Sequence, residues 1–229
     1  MGRFDRQIPV FGEEGQRRIS ESAVAVFGCG GLGCNTITQL ALAGIGHLII
    51  NDFDTVSESN LNRQFVYSGR SGSKAALMGE WIRKVSPETE VTVFEGRSDR
   101  DSMYRIIGDA DIAADCLDSN NSRLELNSAV LERGIPLVHG GVEGFYGQVT
   151  VVVPGETPCL GCFLPPGRRT VPSVGACVSV IGSLQAAEVL KMITGTGEPL
   201  KGRMLVMDMS EGSSETVGIR RRPDCPHCH

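Results

Sequence analysis

The sequence predicts an α/β fold: a doubly wound, Rossmann-like sheet that is mostly parallel and continues into antiparallel strands. Three observations predict it. Short apolar runs alternate with segments of helical period, a glycine-rich turn joins the first such run to a helix, and strands near the end follow one another without a helix between them. With 41% hydrophobic and 21% charged residues, the 229-residue chain can bury a core as one globular unit.

The first half of the chain carries the doubly wound pattern. A polar arm and a short helix occupy residues 1–20. Strands are predicted at 22–27, 47–52, 90–94 and 112–116. Helices are predicted at 34–43, at 74–84, where Pro87 ends the helical period, and at 123–132, with Gly134 as the stop signal.

The second half predicts the antiparallel part of the sheet. A strand at 136–139 is expected to break at Gly140-Gly141, so the strand at 148–153 would return antiparallel to it. Residues 154–172 hold five prolines and predict a loop. A long helix at 178–192 and a strand at 203–208 follow, and the tail from Gly212 is a strand or a loop.

Charge and hydropathy exclude two classes of partner. The net charge of −5 argues against nucleic acid, which is bound by a basic face. There is no uninterrupted apolar run of eighteen residues, so no membrane span is predicted. The N-terminal residues lack the apolar core of a signal peptide, and we therefore expect a cytoplasmic location.

A nucleotide site is predicted after the first strand. Gly28, Gly30 and Gly33 form a G-x-G-x-x-G turn, with Gly31 inside it, between a strand and a helix. Such a turn lets backbone N–H groups approach phosphates at a helix N-terminus. Asp52 ends the next strand, where an acid can bind ribose hydroxyls. This pattern alone is consistent with NAD, FAD or ATP.

A metal site is predicted from four of the eight cysteines. Cys159 and Cys162 form one C-x-x-C pair, and Cys225 and Cys228 form another. This is the knuckle spacing of a structural Zn(Cys)₄ site, and four thiolates leave no open position for catalysis. Reduced thiols or disulfides are the alternative; His227 and His229 are interpreted as surface residues rather than ligands.

Several further motifs carry a family resemblance. They are R-F-D-R-Q at residues 3–7, the G-C-G-G-L-G turn, D-F-D-T-V-S-E-S-N-L-N-R-Q from Asp52, Lys74, D-C-L-D ending at Asp118, G-Q-V at 147–149, I-G-S-L-Q-A-A-E and the paired C-x-x-C motifs. In these the chain resembles the ThiF/MoeB/HesA family of E1-like activating enzymes over nearly its whole length. The resemblance implies one adenylation domain over 1–229: an arm (1–20), a nucleotide-binding half (22–140), and a half for substrate, dimer and zinc (141–229).

The resemblance also implies roles for individual residues. Asp52 would hold the ribose, while Asn60, Arg63 and Lys74 would line the triphosphate of ATP. Asp118 would hold Mg²⁺. Arg6 would reach the γ-phosphate from the partner subunit of a homodimer. Without the family, Arg63 and Lys74 would be solvated charges, Asp115 a buried structural carboxylate and Asp54 a turn or cap residue.

The expected reaction is adenylation of a carboxylate with release of pyrophosphate. A carboxylate is ionised at pH 7, so its attack on the α-phosphorus needs no general base. Alignment and charge neutralisation would supply the catalysis.

The expectation about a thioester step follows from a missing residue. Many members of the family carry a nucleophilic cysteine before the G-x-x-G-S-L-Q helix, but residues 165–174 contain none. Cys177 is the nearest thiol and is interpreted as buried and structural; the alternative is a thiol made reactive by the N-terminus of the long helix. We therefore expect no thioester step.

A branch that resembles this chain in lacking the cysteine adenylates the carboxylate of guanylylpyridinol in Fe-hydrogenase cofactor synthesis, and the substrate expectation leans to such a small acid. The alternatives are the C-terminal Gly-Gly of a ubiquitin-like sulfur carrier, an NAD-binding redox protein and an inactive E1-like scaffold. A downstream protein could accept the acyl group. Tyr146, Arg168 and Arg169 are candidate substrate contacts.

Overall fold

The computed structural model describes residues 2–167 and 172–228, with one eight-stranded sheet at its centre. The helices are α1 Ile8–Glu21, α2 Gly31–Ala43, α3 Lys74–Val85, α4 Arg100–Ile107, α5 Asn120–Arg133 and α6 Gly175–Thr194. The strands are β1 Ala23–Phe27, β2 His47–Asn51, β3 Glu90–Phe94, β4 Ile112–Asp115, β5 Leu137–Glu143, β6 Tyr146–Val152, β7 Arg203–Asp208 and β8 Ser213–Gly218. Short 3₁₀ turns lie at Glu58–Asn60, Phe65–Tyr67 and Leu160–Cys162.

The strand order is β3-β2-β1-β4-β5-β6-β7-β8. The first five of these strands are parallel, and β5 to β8 pair antiparallel. The order reverses between β1 and β4, and this is where ligands bind in open α/β sheets, beyond the carboxyl ends of the strands. The predicted parallel sheet with an antiparallel continuation is therefore confirmed.

The sheet has an apolar core on each face. Val24 and Val26 of β1 face the core that α2, α3 and α6 cover, whereas Ala25 and Phe27 face the core under α4 and α5. Because alternate residues of a strand point to opposite faces, a short run that is apolar throughout must be buried on both.

Two predictions about the elements are wrong. The strand at 136–139 does not break at Gly140-Gly141, because β5 runs through both glycines to Glu143 and turns only at Gly144. A methyl group at Gly140 would lie 2.3 Å from Cδ of Gln185, so glycine admits a side chain of α6 against the strand. The sequence analysis also missed α4, a short helix with Asp99 as its N-cap.

The remaining differences are at element ends. α2, α5 and α6 each begin three residues before the predicted position, because their first turns lie in segments that read as loops. In the described part of the chain, α6 alone is long and apolar enough, by length and composition, to cross a membrane. It packs on α2, β5 and β6 and buries Gln185.

Candidate nucleotide site and cysteine centre

The glycine-rich turn joins β1 to α2 at the carboxyl edge of the sheet. Gly28 has φ +97°, and α2 begins at Gly31. A methyl group at Gly33 would lie 2.0 Å from the carbonyl oxygen of Gly28, so this glycine lets the helix approach the strand. A methyl group at Gly31 would lie 2.7 Å from Val178 of α6. Backbone conformation therefore explains the glycine at position 28, and close packing explains the glycines at positions 31 and 33.

Gly30 is different, because no atom of the described residues lies close to the position that a side chain would occupy there. The nearest atom to a methyl group there would be Nε2 of Gln64, at 3.7 Å. Gly30 precedes the first turn of α2, whose free N–H groups face this space. The turn thus leaves an open cradle of the kind that a phosphate group occupies.

Asp52 follows β2 and is bonded to the turn. One carboxylate oxygen accepts the N–H of Cys29 at 2.6 Å, and the other accepts the N–H of Asp54 at 2.7 Å. Burial raises the pKa of this carboxyl, although both backbone hydrogen bonds act in the opposite direction. Because a carboxylate offers about four acceptor positions, Asp52 retains lone pairs for hydroxyl donors.

The predicted cationic residues follow Asp52 along the chain. Nζ of Lys74, at the start of α3, is buried and lies 3.0 Å from Oδ2 of the half-exposed Asp54. Arg63 donates to the carbonyl of Ser59 and to the side chain of Asn62, both at 2.8 Å. Its Cδ would lie 3.6 Å from a methyl group at Gly31, so Arg63 borders the glycine turn.

The three other predicted site residues, Asn60, Asp118 and Arg6, lie outside the glycine turn. Asn60 accepts the N–H of Ser57 at 3.1 Å and so also caps a 3₁₀ turn. Asp118 lies three residues beyond β4, and its side chain is exposed. Arg6 is also exposed, on the arm before α1. Neither Asp118 nor Arg6 has a side-chain hydrogen bond or ion pair within residues 2–167 and 172–228.

Two residues beside the turn, Gln64 and Tyr67, have no role predicted from the sequence. Gln64 is buried, and its Oε1 has no hydrogen-bond partner in the described structure. The hydroxyl of Tyr67 donates a hydrogen bond to the carbonyl of Cys29 at 2.6 Å and so stabilises the turn. The sequence offers one indication of a role for Gln64, which is that it directly follows Arg63 in the motif. A buried, unpaired amide oxygen is costly, which favours a donor from a ligand or a water molecule.

A buried hydrogen-bonded chain lies next to the Asp118 loop. Asp115 ends β4 and lies 2.7 Å from Nδ1 of His139 on β5, and both side chains are fully buried. Nε2 of His139 lies 3.1 Å from Nε2 of Gln148 on β6. Asp115 is thus a buried, hydrogen-bonded carboxylate, and His139 is a buried residue within β5.

The four predicted zinc ligands come together in one cluster. Their sulfur atoms all lie within 4.8 Å of one another, with 3.6 Å between Cys159 and Cys225 and 3.4 Å between Cys162 and Cys228. A tetrahedral zinc ion with bonds near 2.3 Å separates its sulfurs by about 3.8 Å, so the cluster fits that ion. Burial raises the pKa of Cys225, but hydrogen bonds from the N–H groups of His227 and Cys228 and from the thiols of Cys159 and Cys228 lower it to about 7, whereas burial raises the pKa of Cys159 and of Cys228. Of these three thiols, Cys225 therefore loses its proton most readily.

The four remaining cysteines are buried in the packed interior of the protein. Cys29, Cys34 and Cys116 are fully buried, and burial raises the pKa of Cys34 and of Cys116 to about 12. Cys177 is buried at the start of α6, where its thiol contacts the carbonyl of Tyr146 at 3.3 Å, and burial raises its pKa.

The remaining residues named from the sequence are two histidines and three candidate substrate contacts. His227 accepts or donates a 3.0 Å hydrogen bond with Ser128 beside the cysteine cluster, and Tyr146 is exposed. Arg168, Arg169 and His229 lie outside the described residues.

Comparison with known proteins places the chain in one family. The model of the ThiF family matches residues 4–227. The SAMP-activating enzyme E1 of Haloferax volcanii is 37% identical over 100% of this chain and 88% of its own length. The sulfur carrier protein adenylyltransferase of Thermus thermophilus is 35% identical, over 100% of this chain and 90% of its own.

A solved structure shows the same fold. The crystal structure of E. coli MccB with ATP superposes with a TM-score of 0.90 at 23% identity, covering 100% of this chain and 74% of MccB. At that identity the likeness concerns the fold alone. The family match and the identities over the whole chain establish the rest: this chain belongs to the ThiF family, as an E1-like adenylyltransferase.

Proposed function

We propose that the chain binds ATP at the carboxyl edge of the sheet and activates a carboxylate as an acyl-adenylate, without forming a thioester on itself. The observation that carries the proposal is the open cradle at Gly30, bordered by Arg63 and followed by the buried Lys74. A triphosphate requires both backbone donors and cationic side chains, whereas a dinucleotide for hydride transfer needs no such pair of cations.

In this proposal each residue has a part in binding. The N–H groups at the start of α2 and the side chains of Arg63 and Lys74 contact the phosphates, Asn60 joins them, and Asp52 accepts from the ribose. The side chain of Gln64 borders the same space through Nε2, 3.7 Å from a methyl group placed at Gly30. Arg6 adds a cation from the partner subunit of a homodimer. The family resemblance supports these assignments, together with the positions described above.

Asp118 is proposed to hold Mg²⁺ at the end of β4. Its side chain is exposed and free of protein partners in the described residues, and carboxylate oxygens suit this ion. When bound, Mg²⁺ would neutralise charge on the phosphate oxygens.

The bond changes in the proposed reaction are as follows. An oxygen of the substrate carboxylate forms a bond to the α-phosphorus of ATP, and the bond from that phosphorus to pyrophosphate breaks. No proton moves, since both reactants are ionised. The residues of the site hold the reacting atoms in line and stabilise the charge on the leaving group.

The absence of a thioester step is supported by two observations. The stretch 165–174 contains no cysteine. Cys177, the nearest thiol, is buried with a raised pKa, and a thiol in that state is a poor nucleophile.

The first candidate substrate is the C-terminal carboxylate of a carrier protein. Two relatives that match this chain over its full length are named a SAMP-activating enzyme and a sulfur carrier protein adenylyltransferase. The competing candidate is a small acid such as guanylylpyridinol, which the missing cysteine favours.

The test is ATP–pyrophosphate exchange with purified protein, with candidate carboxylates added one at a time. Exchange that depends on one carboxylate is expected, and iodoacetamide-treated protein should retain it. An ATP-induced rise in Tm, with none for NAD, should accompany it. Absence of exchange with every carboxylate, or a shift with NAD alone, would contradict the proposal.

A further inference from the structure

The charge state of His139 follows from its surroundings. Two charged groups face the imidazole: Asp115 on β4, 2.7 Å from Nδ1, and Arg123 on α5, whose Nε lies 3.7 Å from the same carboxylate oxygen. Asp115 and Arg123 already balance each other, so a charged imidazolium would add an unpaired buried positive charge. Consistent with this, burial lowers the pKa of His139, although Asp115 acts in the opposite direction.

A neutral His139 dictates the orientation of Gln148. The Asp115 carboxylate can only accept, so the single ring proton of His139 is on Nδ1, and Nε2 carries a lone pair. Gln148 must therefore direct its NH₂ group toward Nε2, at 3.1 Å. Because the NH₂ group faces the lone pair of Nε2, the amide oxygen of Gln148 must face away from the imidazole.

The packing around Gln148 holds this arrangement. Gly141 lies opposite Gln148 across the β5–β6 pair, and a methyl group there would lie 3.2 Å from both Cγ and Nε2 of Gln148. The side chain is half-buried, and its Oε1 has no hydrogen-bond partner in the described parts of the chain. An acceptor is thus held in place without a protein donor.

The position of this acceptor relates it to the substrate. Asp115 and His139 are register partners on adjacent strands, and the Asp118 loop continues directly from Asp115. Gln148 pairs with Gly141, two residues past His139 along β5, so it lies one strand beyond His139 and toward the edge of the sheet where ATP is proposed to bind.

We propose that Gln148 is a specificity-determining residue for the acyl substrate: its amide oxygen, oriented by His139 and Asp115, accepts a hydrogen bond from an N–H group on the carbon next to the carboxylate. This inference rests on the proposed adenylation reaction. An acceptor at this point favours a peptide-like C-terminus and disfavours an acid without a donor, because such an acid would cover the amide oxygen without offering it a hydrogen bond. His139 and Asp115 are positioning residues that act through Gln148.

The test compares two forms of a carrier protein ending in Gly-Gly. In one form, the N–H of the last peptide bond is replaced by an ester oxygen. We expect wild-type protein to show kcat/KM for pyrophosphate exchange about tenfold higher with the amide than with the ester. Gln148→Met, which keeps the length but removes the acceptor, should bring the two substrates to about the same kcat/KM; Gln148→Leu serves as a second variant.

The positioning role has its own readout. His139→Asn retains a donor for Asp115 but cannot reach Gln148, so it should also reduce the preference for the amide while the ATP-induced rise in Tm persists. A purely structural role would change stability and leave the ratio between amide and ester intact.

The outcomes separate the two proposals. Exchange that keeps the amide preference in Gln148→Met, or wild-type exchange with no preference, would overturn the role of Gln148 and leave adenylation in place. Exchange only with an acid that lacks the N–H group would do the same. Exchange with no carboxylate at all would overturn the proposed function and this inference together.

Discussion

Nζ of Lys74 lies 3.0 Å from Oδ2 of Asp54, and the lysine side chain is only 6% exposed while that of the aspartate is 45% exposed. A buried ammonium requires a partner, and Asp54 supplies one in the free enzyme. The half-exposed carboxylate leaves the same ammonium within reach of an incoming anion. Asp54, expected only as a turn or cap residue, therefore holds the lysine in place beside the candidate nucleotide site.

This pair gives the first prediction. Lys74→Met should lower ATP–pyrophosphate exchange by about 100-fold, because it removes a cation from the leaving group's side of the reaction. Lys84→Met, an exposed lysine in the last turn of the same helix, is the matched control and should retain full activity. Equal exchange rates in the two variants would contradict the role of Lys74.

The glycine turn gives a second, paired prediction. Gly33→Ala should destabilise the protein by about 3 kcal/mol or more, since its methyl group would overlap the carbonyl of Gly28 at 2.0 Å. Gly30→Ala has 3.7 Å of clearance, so Tm should fall far less, while the affinity for ATP falls sharply. Thermal unfolding and ATP titration measure the two effects. If Gly30→Ala bound ATP as well as wild type, the cradle would not be a phosphate site.

Asp118 gives a third prediction. Asp118→Asn should lower pyrophosphate exchange by about 100-fold or more and should raise the Mg²⁺ concentration needed for half-maximal exchange. The protein should remain folded, because the side chain has no partner among the described residues. Asp109→Asn, at the opposite end of β4, is the control. An unchanged Mg²⁺ dependence in Asp118→Asn would argue against metal binding there.

The cysteine cluster gives a fourth prediction. Elemental analysis should find about one zinc per chain, and Cys162→Ser with Cys228→Ser should lose it and unfold at a lower temperature, because zinc joins the tail to the loop after β6. Cys177→Ala should keep its zinc, since this thiol lies apart from the cluster. A zinc-free wild-type protein of unchanged Tm would instead favour four free thiols.

The buried His139 gives a prediction on pH. Its pKa is lowered in the folded state relative to the ordinary value of 6.5, so the unfolded chain binds the additional proton more readily. The free energy of unfolding that this group contributes is therefore present above pH 6.5 and is lost as the pH falls below it. Denaturant unfolding between pH 7.5 and 5 should show this decline, and His139→Asn should have a shallower slope. Equal slopes would show that folding does not lower the pKa of His139.

Much of the fold and the family membership could be predicted from the sequence, because the signals are local. Short runs such as Val24–Phe27 are apolar at every position, and the glycine turn lies between a strand and a helix in the same thirty residues. The C-x-x-C spacing likewise predicted two knuckles, and the structure brings their four sulfurs together. The predicted roles of Arg6, Asn60, Arg63 and Asp118 remain predictions.

Tertiary structure alone decided the rest. The chain from Asp115 through His139 to Gln148 joins three strands, and Lys74 finds Asp54 twenty residues away. Gly140 reads as a strand break in sequence, yet it is the point where Gln185 of a distant helix approaches the strand. Local sequence determines backbone preference and apolar periodicity, whereas buried polar groups take their partners from whichever elements the packed sheet brings beside them, and those partners set their charge and orientation.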